Sequence, residues 1–185
     1  WMNEIYLDHA STTYVREEVK EVMDRYFSQE FGNPGSFHTV GLRAKNALNQ
    51  ARKKVSEILN CKPGEIIFTS GGTESINLAI KGIAAKKGKG HIITSKIEHP
   101  AVLRTCEFLE KSGFEVTYLE VDQNGLVNSE DVENAVTKNT ILITIMYANN
   151  EIGTIEPIKE IAKIANKHKV PFHTDACQAA GLEVD

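Results

Sequence analysis

The stretch that most constrains the fold is Ile141-Leu142-Ile143-Thr144-Ile145-Met146, which offers almost no polar residue to either side of an extended chain. Side chains alternate between the faces of a strand, so a near-continuous apolar run is a strand buried on both faces, as in a parallel sheet covered by helices. The surrounding chain repeats that logic. Strands are expected at Ile66–Thr69, His91–Ser95, Glu115–Val121, Thr140–Met146 and 171–175. Helices are expected between them at 74–86, Pro100–Lys111, Ser129–Val136 and Pro157–His168. Pro100 suits a first helical turn and Gly113 lies just past the end of that helix. Strands that alternate with helices imply an α/β fold with a mainly parallel sheet between two helical layers, a three-layer sandwich.

The first third reads differently. Ile5-Tyr6-Leu7 is read as a short strand before the polar turn Asp8–Thr13, and Val15, Val19, Val22, Met23, Tyr26 and Phe27 follow at helical spacing. Gly32-Asn33-Pro34-Gly35-Ser36 must be a loop. Ala44, Ala47, Leu48, Ala51, Val55, Ile58 and Leu59 then mark one face of a long amphipathic helix. Trp1 precedes Met2, and Met2 reads as the natural start.

Composition narrows the function classes. With 185 residues, 41% hydrophobic, the chain is long enough for one well-buried domain. A net charge of −4 gives no reason to expect nucleic acid or an anionic membrane as a partner. No apolar run approaches the roughly 20 residues of a membrane span. The N-terminal residues show no secretory signal pattern, so a cytoplasmic protein is expected. The three cysteines, Cys61, Cys106 and Cys177, form no C-x-x-C pair and suit reduced thiols.

In a parallel α/β sheet, ligands bind outside the carboxyl ends of the strands. Four such ends are polar here: Ser70–Glu74, Lys96–His99, Ala148–Glu151 and Asp175–Gln178. Ser70-Gly71-Gly72-Thr73 joins a strand to a helix, where backbone amides and the helix dipole suit a phosphate. A glycine turn with a threonine can also serve only to start a helix. The pattern is neither a P-loop nor G-x-G-x-x-G, which argues against a nucleotide. His99 sits at the mouth of a helix, where it either caps that helix or meets a ligand. Asn149–Thr154 is explained as readily by ordinary turn chemistry, and Gln178 by a surface position. Asp175, near the end of a buried strand, needs a positive partner. His173, Asp175 and Cys177 share a strand face and are all metal-ligand types, but no fourth ligand at metal spacing accompanies them, so no metal is expected.

Taken together these blocks carry a resemblance. Tyr6-Leu7-Asp8-His9-Ala10-Ser11-Thr12-Thr13, Phe31–His38, Phe68–Ser75, Ile97-Glu98-His99, Ala148–Thr154 and His173–Gln178 resemble, in order and near spacing, the motifs of the NifS/IscS-type cysteine desulfurases. Those are class V, fold-type I enzymes dependent on pyridoxal 5'-phosphate (PLP). The resemblance implies that Asp175 pairs with the pyridinium nitrogen and that Gly72 and Thr73 hold the phosphate. It implies that His99 stacks on the ring and takes part in proton transfer, the catalytic role within this chain. Asn150 and Gln178 resemble the amides near the cofactor's phenolic oxygen and the substrate carboxylate. Cys177 varies in the family and is expected only to pack. Residues 1–14 would belong to the small domain, and 15–185 to an incomplete PLP-binding large domain.

The family's PLP-binding lysine, persulfide-forming cysteine and substrate-carboxylate arginine occupy positions beyond Asp185. The chain therefore resembles an N-terminal portion, expected to be inactive alone, with an exposed sheet edge and apolar face. The resemblance implies L-cysteine as substrate, and L-alanine and an enzyme persulfide as products. It also implies a complementary C-terminal half or second chain, a homodimer in the complete enzyme, and an iron–sulfur scaffold or other sulfur acceptor. Two alternatives stand beside this reading: a non-enzymatic interaction or regulatory half-domain, and a related class V lyase or aminotransferase.

Overall fold

The computed structural model describes residues 5–179. Trp1, Met2, the first residues of the expected N-terminal segment and the last residues after Ala179 lie outside that range. The described chain divides into two compact units, one up to Phe68 and one from Thr69.

In the first unit, α1 (Glu17–Ser28) begins with Glu17 and Glu18 and ends near Arg25, charges that complement the helix dipole. Its apolar stripe falls where the periodicity puts it, yet Val15, Val19, Val22, Met23, Tyr26 and Phe27 are all exposed among the described residues. α2 (Thr39–Ile58) begins five residues before the first periodic alanine. His38 starts it, its Nδ1 accepting from the Gly41 amide at 3.3 Å. Gly41 is required by close approach, because a Cβ there would lie 2.5 Å from the Ser36 carbonyl oxygen. That contact folds the Gly32–Ser36 loop onto the start of α2. Val22 and Tyr26 of α1 share a groove with Ala44, Leu48 and Ala51 of α2.

Two expected strands do not form. Ile5–Leu7 and Ile66–Thr69 belong to no sheet among the described residues. Ile66 does have extended backbone. A strand exists through the hydrogen bonds of a neighbour, and the described sheet offers these segments none.

The second unit is the α/β part. α3 (Gly72–Lys87) precedes β1 (His91–Ser95), α4 (Pro100–Lys111), β2 (Glu115–Leu119), α5 (Ser129–Ala135), β3 (Thr140–Thr144), α6 (Ile158–His168) and β4 (Phe172–His173). The four strands are all parallel, in the order β2-β1-β3-β4. β3 stops two residues short of its apolar run, and β4 is two residues long because only Ile143 and Thr144 pair with it in register. Irregular bonds continue the alignment, from the Ile145 amide to the His173 carbonyl at 3.2 Å and from the Tyr147 amide to the Asp175 carbonyl at 2.9 Å.

The two faces of the sheet carry separate cores. Ile92, Leu142, Val116 and Tyr118 pack against Ile76 and Ile80 of α3 and Val102, Cys106 and Leu109 of α4. Ile93, Ile143, Leu119 and Phe172 pack against Val132 of α5 and Ile161 and Ala165 of α6. The three layers anticipated from the alternation are thus present. At the amino ends of the strands, buried His91 ties the sheet across, its Nδ1 to Thr140 Oγ1 at 2.9 Å and its Nε2 to Thr117 Oγ1 at 2.8 Å. Among the described residues no helix is long and apolar enough to cross a membrane.

The order 2-1-3-4 has one switch point, between β1 and β3. After β1 the chain leaves toward α4 on one face, and after β3 toward α6 on the other. A crevice must open between the two departing loops.

Leu142 is fully buried at the centre of the first core. Leu142→Ala is expected to lower stability by roughly 2–5 kcal/mol in urea unfolding, through lost burial and the cavity left behind. A loss under about 1 kcal/mol would show that this face is not a packed core.

A candidate cofactor cleft at the strand ends

The crevice is lined by Gly72, Thr73 and Ile76 of α3, His99 after β1, Met146, Ala148 and Asn150 after β3, and Asp175, Cys177 and Gln178 after β4. Its volume is about 240 Å³. All six residues singled out in the sequence, Gly72, Thr73, His99, Asn150, Asp175 and Gln178, therefore face one space. No lysine or arginine is among the described residues that line it.

One wall is the start of α3. Its first amides, at Gly72 and Thr73, have no helical partner upstream and carry the positive end of the helix dipole. Glu74 does not compete for this position. Its Oε2 turns back to accept from the Ser70 amide at 2.7 Å and the Ser70 hydroxyl at 2.5 Å, which holds its carboxyl below the usual range. Behind it, Thr69 Oγ1 and Ser75 Oγ share a hydrogen bond of 2.7 Å. A Cβ on Gly72 would lie 2.7 Å from Cys177 Sγ, so glycine here keeps a shallow cradle open beside the thiol.

A second wall carries Asp175, which is 8% exposed. Its Oδ1 accepts from the Cys177 amide at 3.0 Å, closing a turn that aims the carboxylate into the cleft. Burial, with the hydrogen bond to Asp175, pushes the Cys177 thiol up to about 11. Cys177 is thus a neutral thiol near pH 7 and a poor nucleophile. Of the set His173, Asp175 and Cys177, the last two are bonded to each other, while His173 Nδ1 is bonded to Thr144 Oγ1 at 2.8 Å. Burial pushes the His173 pKa down.

His99 caps α4, its Nδ1 accepting from the Ala101 amide at 3.1 Å. That bond leaves Nε2 as the ring's donor when the imidazole is neutral. The ring that caps α4 also lines the cleft. Lys96 is held in an ion pair with Glu120 and lines no part of the cleft.

Two contacts beside the cleft escape sequence reasoning. Glu98 is 4% exposed, and its Oε1 accepts from Ser95 Oγ at 2.9 Å and the Met146 amide at 2.8 Å, while Oε2 has no partner. Asn149 turns away from the cleft, donating from Nδ2 to the Ile97 carbonyl at 2.9 Å. Adjacent asparagines look alike in a sequence; the backbone after β3 sends Asn149 inward and Asn150 to the cleft. No local pattern marks an acid that will be buried.

The class-V aminotransferase family model matches residues 5–184. The chain belongs to that family. A relative named cysteine desulfurase IscS, from Dictyoglomus turgidum, is 56% identical over 96% of this chain and 46% of its own length. A solved structure described as SspA in complex with cysteine superposes with a TM-score of 0.89 at 48% identity, over 91% of this chain and 49% of that one. A NifS-like protein superposes with a TM-score of 0.91 at 42% identity, over 94% of this chain and 49% of that one. The chain spans about half the length of the curated relatives it matches. Membership in the family, expected from the motifs, and the parallel α/β architecture, expected from the alternation of strands and helices, are borne out. Gly72, Thr73, His99, Asn150, Asp175 and Gln178 line one cleft.

Burial, with Asp175 and Glu156 nearby, pushes the Glu98 carboxyl up from 4.5 to about 8. Between those values the folded state holds a proton that the unfolded state has lost. Glu98's contribution is therefore complete below about pH 4.5 and drains away, at about 1.4 kcal/mol per pH unit, up to about pH 8. Glu98→Gln removes the titration. In urea unfolding across pH 4–9 the Gln variant should gain on the unmodified chain through this window and run parallel above it. A pH-independent difference would mean that Glu98 is ionised in the fold.

Proposed function

We propose that this chain forms the cofactor-binding part of a PLP-dependent cysteine desulfurase, and that the cleft receives PLP and L-cysteine. The observation that carries the reading is the cleft's polarity. An amide-rich helix start stands on one wall and a nearly buried, accepting carboxylate on another. PLP presents a phosphate and a basic ring nitrogen, and the cradle kept open by Gly72 and the carboxylate of Asp175 fit those two ends.

In this reading the Gly72 and Thr73 amides, with the Thr73 hydroxyl, bind the phosphate. Asp175 accepts a hydrogen bond from the ring nitrogen and favours its protonated form, because a buried carboxylate gains most from a cationic partner. When bound, PLP supplies the electron sink that labilises bonds at the amino acid's α-carbon. His99 covers the ring and carries a proton at Nε2, while Asn150 and Gln178 orient the polar edges of cofactor and substrate. Ile76, Met146 and Ala148 exclude water from the floor of the cleft.

For the whole protein the proposed reaction converts L-cysteine to L-alanine and passes the sulfur to a cysteine thiol as a persulfide. Burial pushes Cys106 up to about 12 and Cys177 up to about 11, so neither is a thiolate near neutral pH. The persulfide cysteine, the PLP lysine and the substrate-carboxylate arginine are proposed to come from outside these 185 residues, on a C-terminal half or a second chain. Residues 1–14 are proposed to belong to a small domain and 15–185 to the large one. The complete protein is proposed to be a cytoplasmic homodimer that delivers sulfur to an iron–sulfur scaffold or other acceptor. The similar SspA was solved in complex with cysteine, which supports cysteine as the substrate.

PLP added to the purified chain should give a saturable absorbance change. Asp175→Ala should weaken the affinity about 10- to 100-fold, the value of a charge-assisted hydrogen bond. The same chain with PLP and L-cysteine should release no sulfide above that of PLP alone. Binding unaffected by the substitution would overturn the proposed ring contact, and sulfide release would overturn the division of the active site.

A further inference from the structure

The switch point between β1 and β3 sends two loops to opposite faces of the sheet, yet His99 on one loop and Asn150 on the other must face the same cleft. Two side chains cross that divide in opposite directions. Glu98, on the loop after β1, reaches over to the end of β3 and accepts from the Met146 amide at 2.8 Å, while Ser95 Oγ steadies the same oxygen at 2.9 Å. Asn149, on the loop after β3, reaches back and donates to the Ile97 carbonyl at 2.9 Å. Its Oδ1 accepts from the Glu151 and Ile152 amides at 2.8 and 3.1 Å, which closes its own loop. Glu98 and Asn149 are 4% and 8% exposed, so water cannot readily replace these bonds. Each is followed directly by a residue that lines the cleft, His99 or Asn150.

We propose that Glu98 and Asn149 are positioning residues that form a reciprocal clasp across the switch point, fixing His99 and Asn150 relative to each other for the ligand. Without Glu98 the Met146 amide is a buried donor with no acceptor, and the β3 end must shift to find one. Without Asn149 the part-buried Ile97 carbonyl loses its side-chain donor. The two bonds hold a single loop pair, so losing either forfeits most of what both provide. The side-chain carbonyl of a glutamine reproduces the acceptor that Met146 and Ser95 require. The clasp also has an electrostatic consequence. A protonated Glu98 adds no second negative charge beside Asp175, so the cleft presents one carboxylate rather than two.

The inference rests on the proposed cofactor for one arm of its test and on geometry alone for the other. In the first arm, PLP affinity is measured by absorbance titration for Glu98→Ala, Glu98→Gln, Asn149→Ala and the Glu98→Ala/Asn149→Ala pair. Each alanine variant should bind about tenfold more weakly, as expected for about one hydrogen bond. The pair should lie within threefold of the weaker single variant, and Glu98→Gln within threefold of the unmodified chain. In the second arm, exchange of the Met146 amide is followed by NMR. Glu98→Ala should speed it at least tenfold and Glu98→Gln should leave it nearly unchanged. Additive losses in the pair, or a Glu98→Gln variant as weak as Glu98→Ala, would overturn the clasp. If the unmodified chain binds no PLP, the cofactor reading falls and the exchange arm decides alone. An unchanged Met146 amide in a folded Glu98→Ala chain then overturns the clasp.

Discussion

The site depends on the adjacency of two parallel strands whose chains leave in opposite directions. β1 and β3 lie side by side, aligned from Ile92 opposite Leu142 to Thr94 opposite Thr144, and the packing of α4 and α6 on opposite faces prevents the departing loops from closing over the sheet edge. A crevice is the geometric result. The buried cores on both faces fix the strands, the strands fix the crevice, and His99, Asn150, Asp175 and Gln178, just past the strand ends, line it. β4 adds the third side, its irregular pairing carrying Asp175 alongside Tyr147.

What fills the crevice follows from its charge. The described lining contains no lysine or arginine, so the fixed positive contribution comes from the amides at the start of α3 and the negative one from Asp175. Such a cleft favours a molecule with an anionic end and a cationic or protonatable end, held lengthwise between the two. A second ionised carboxylate would spoil this balance. Glu98 lies close enough to Asp175 to feel its charge, and burial keeps Glu98 neutral near pH 7. The least conspicuous acid in the region therefore helps to leave Asp175 as the principal charge facing the ligand.

Much of this was legible in the sequence because it depends on periodicity. The double-sided apolar run at Ile141–Met146 marks a strand that only a covered parallel sheet can accept, and the helix Pro100–Lys111 has the limits that its proline and following glycine indicate. His99, Asn150, Asp175 and Gln178 stood out because they follow buried strands, and Gly72 and Thr73 because a glycine turn opens a helix there. Pairing was less legible. Ile66–Thr69 is apolar enough for a strand, yet a strand also needs a neighbour, and apolar composition does not supply one. Likewise β4 keeps only Phe172 and His173, since its register with β3 is lost where the chain turns at Asp175. The distinct tasks of Asn149 and Asn150, and the burial of Glu98, are set by contacts some fifty residues away in sequence, which no local pattern encodes.

The central claim is that the cleft is a PLP site oriented by α3 at one end and Asp175 at the other. A crystal structure of the chain grown with PLP tests this most directly. The phosphate should lie against the amides of Gly72 and Thr73, with the ring nitrogen within hydrogen-bonding distance of Asp175 and His99 over the ring face. PLP bound elsewhere, or bound in the cleft with its phosphate toward Asp175, would contradict it.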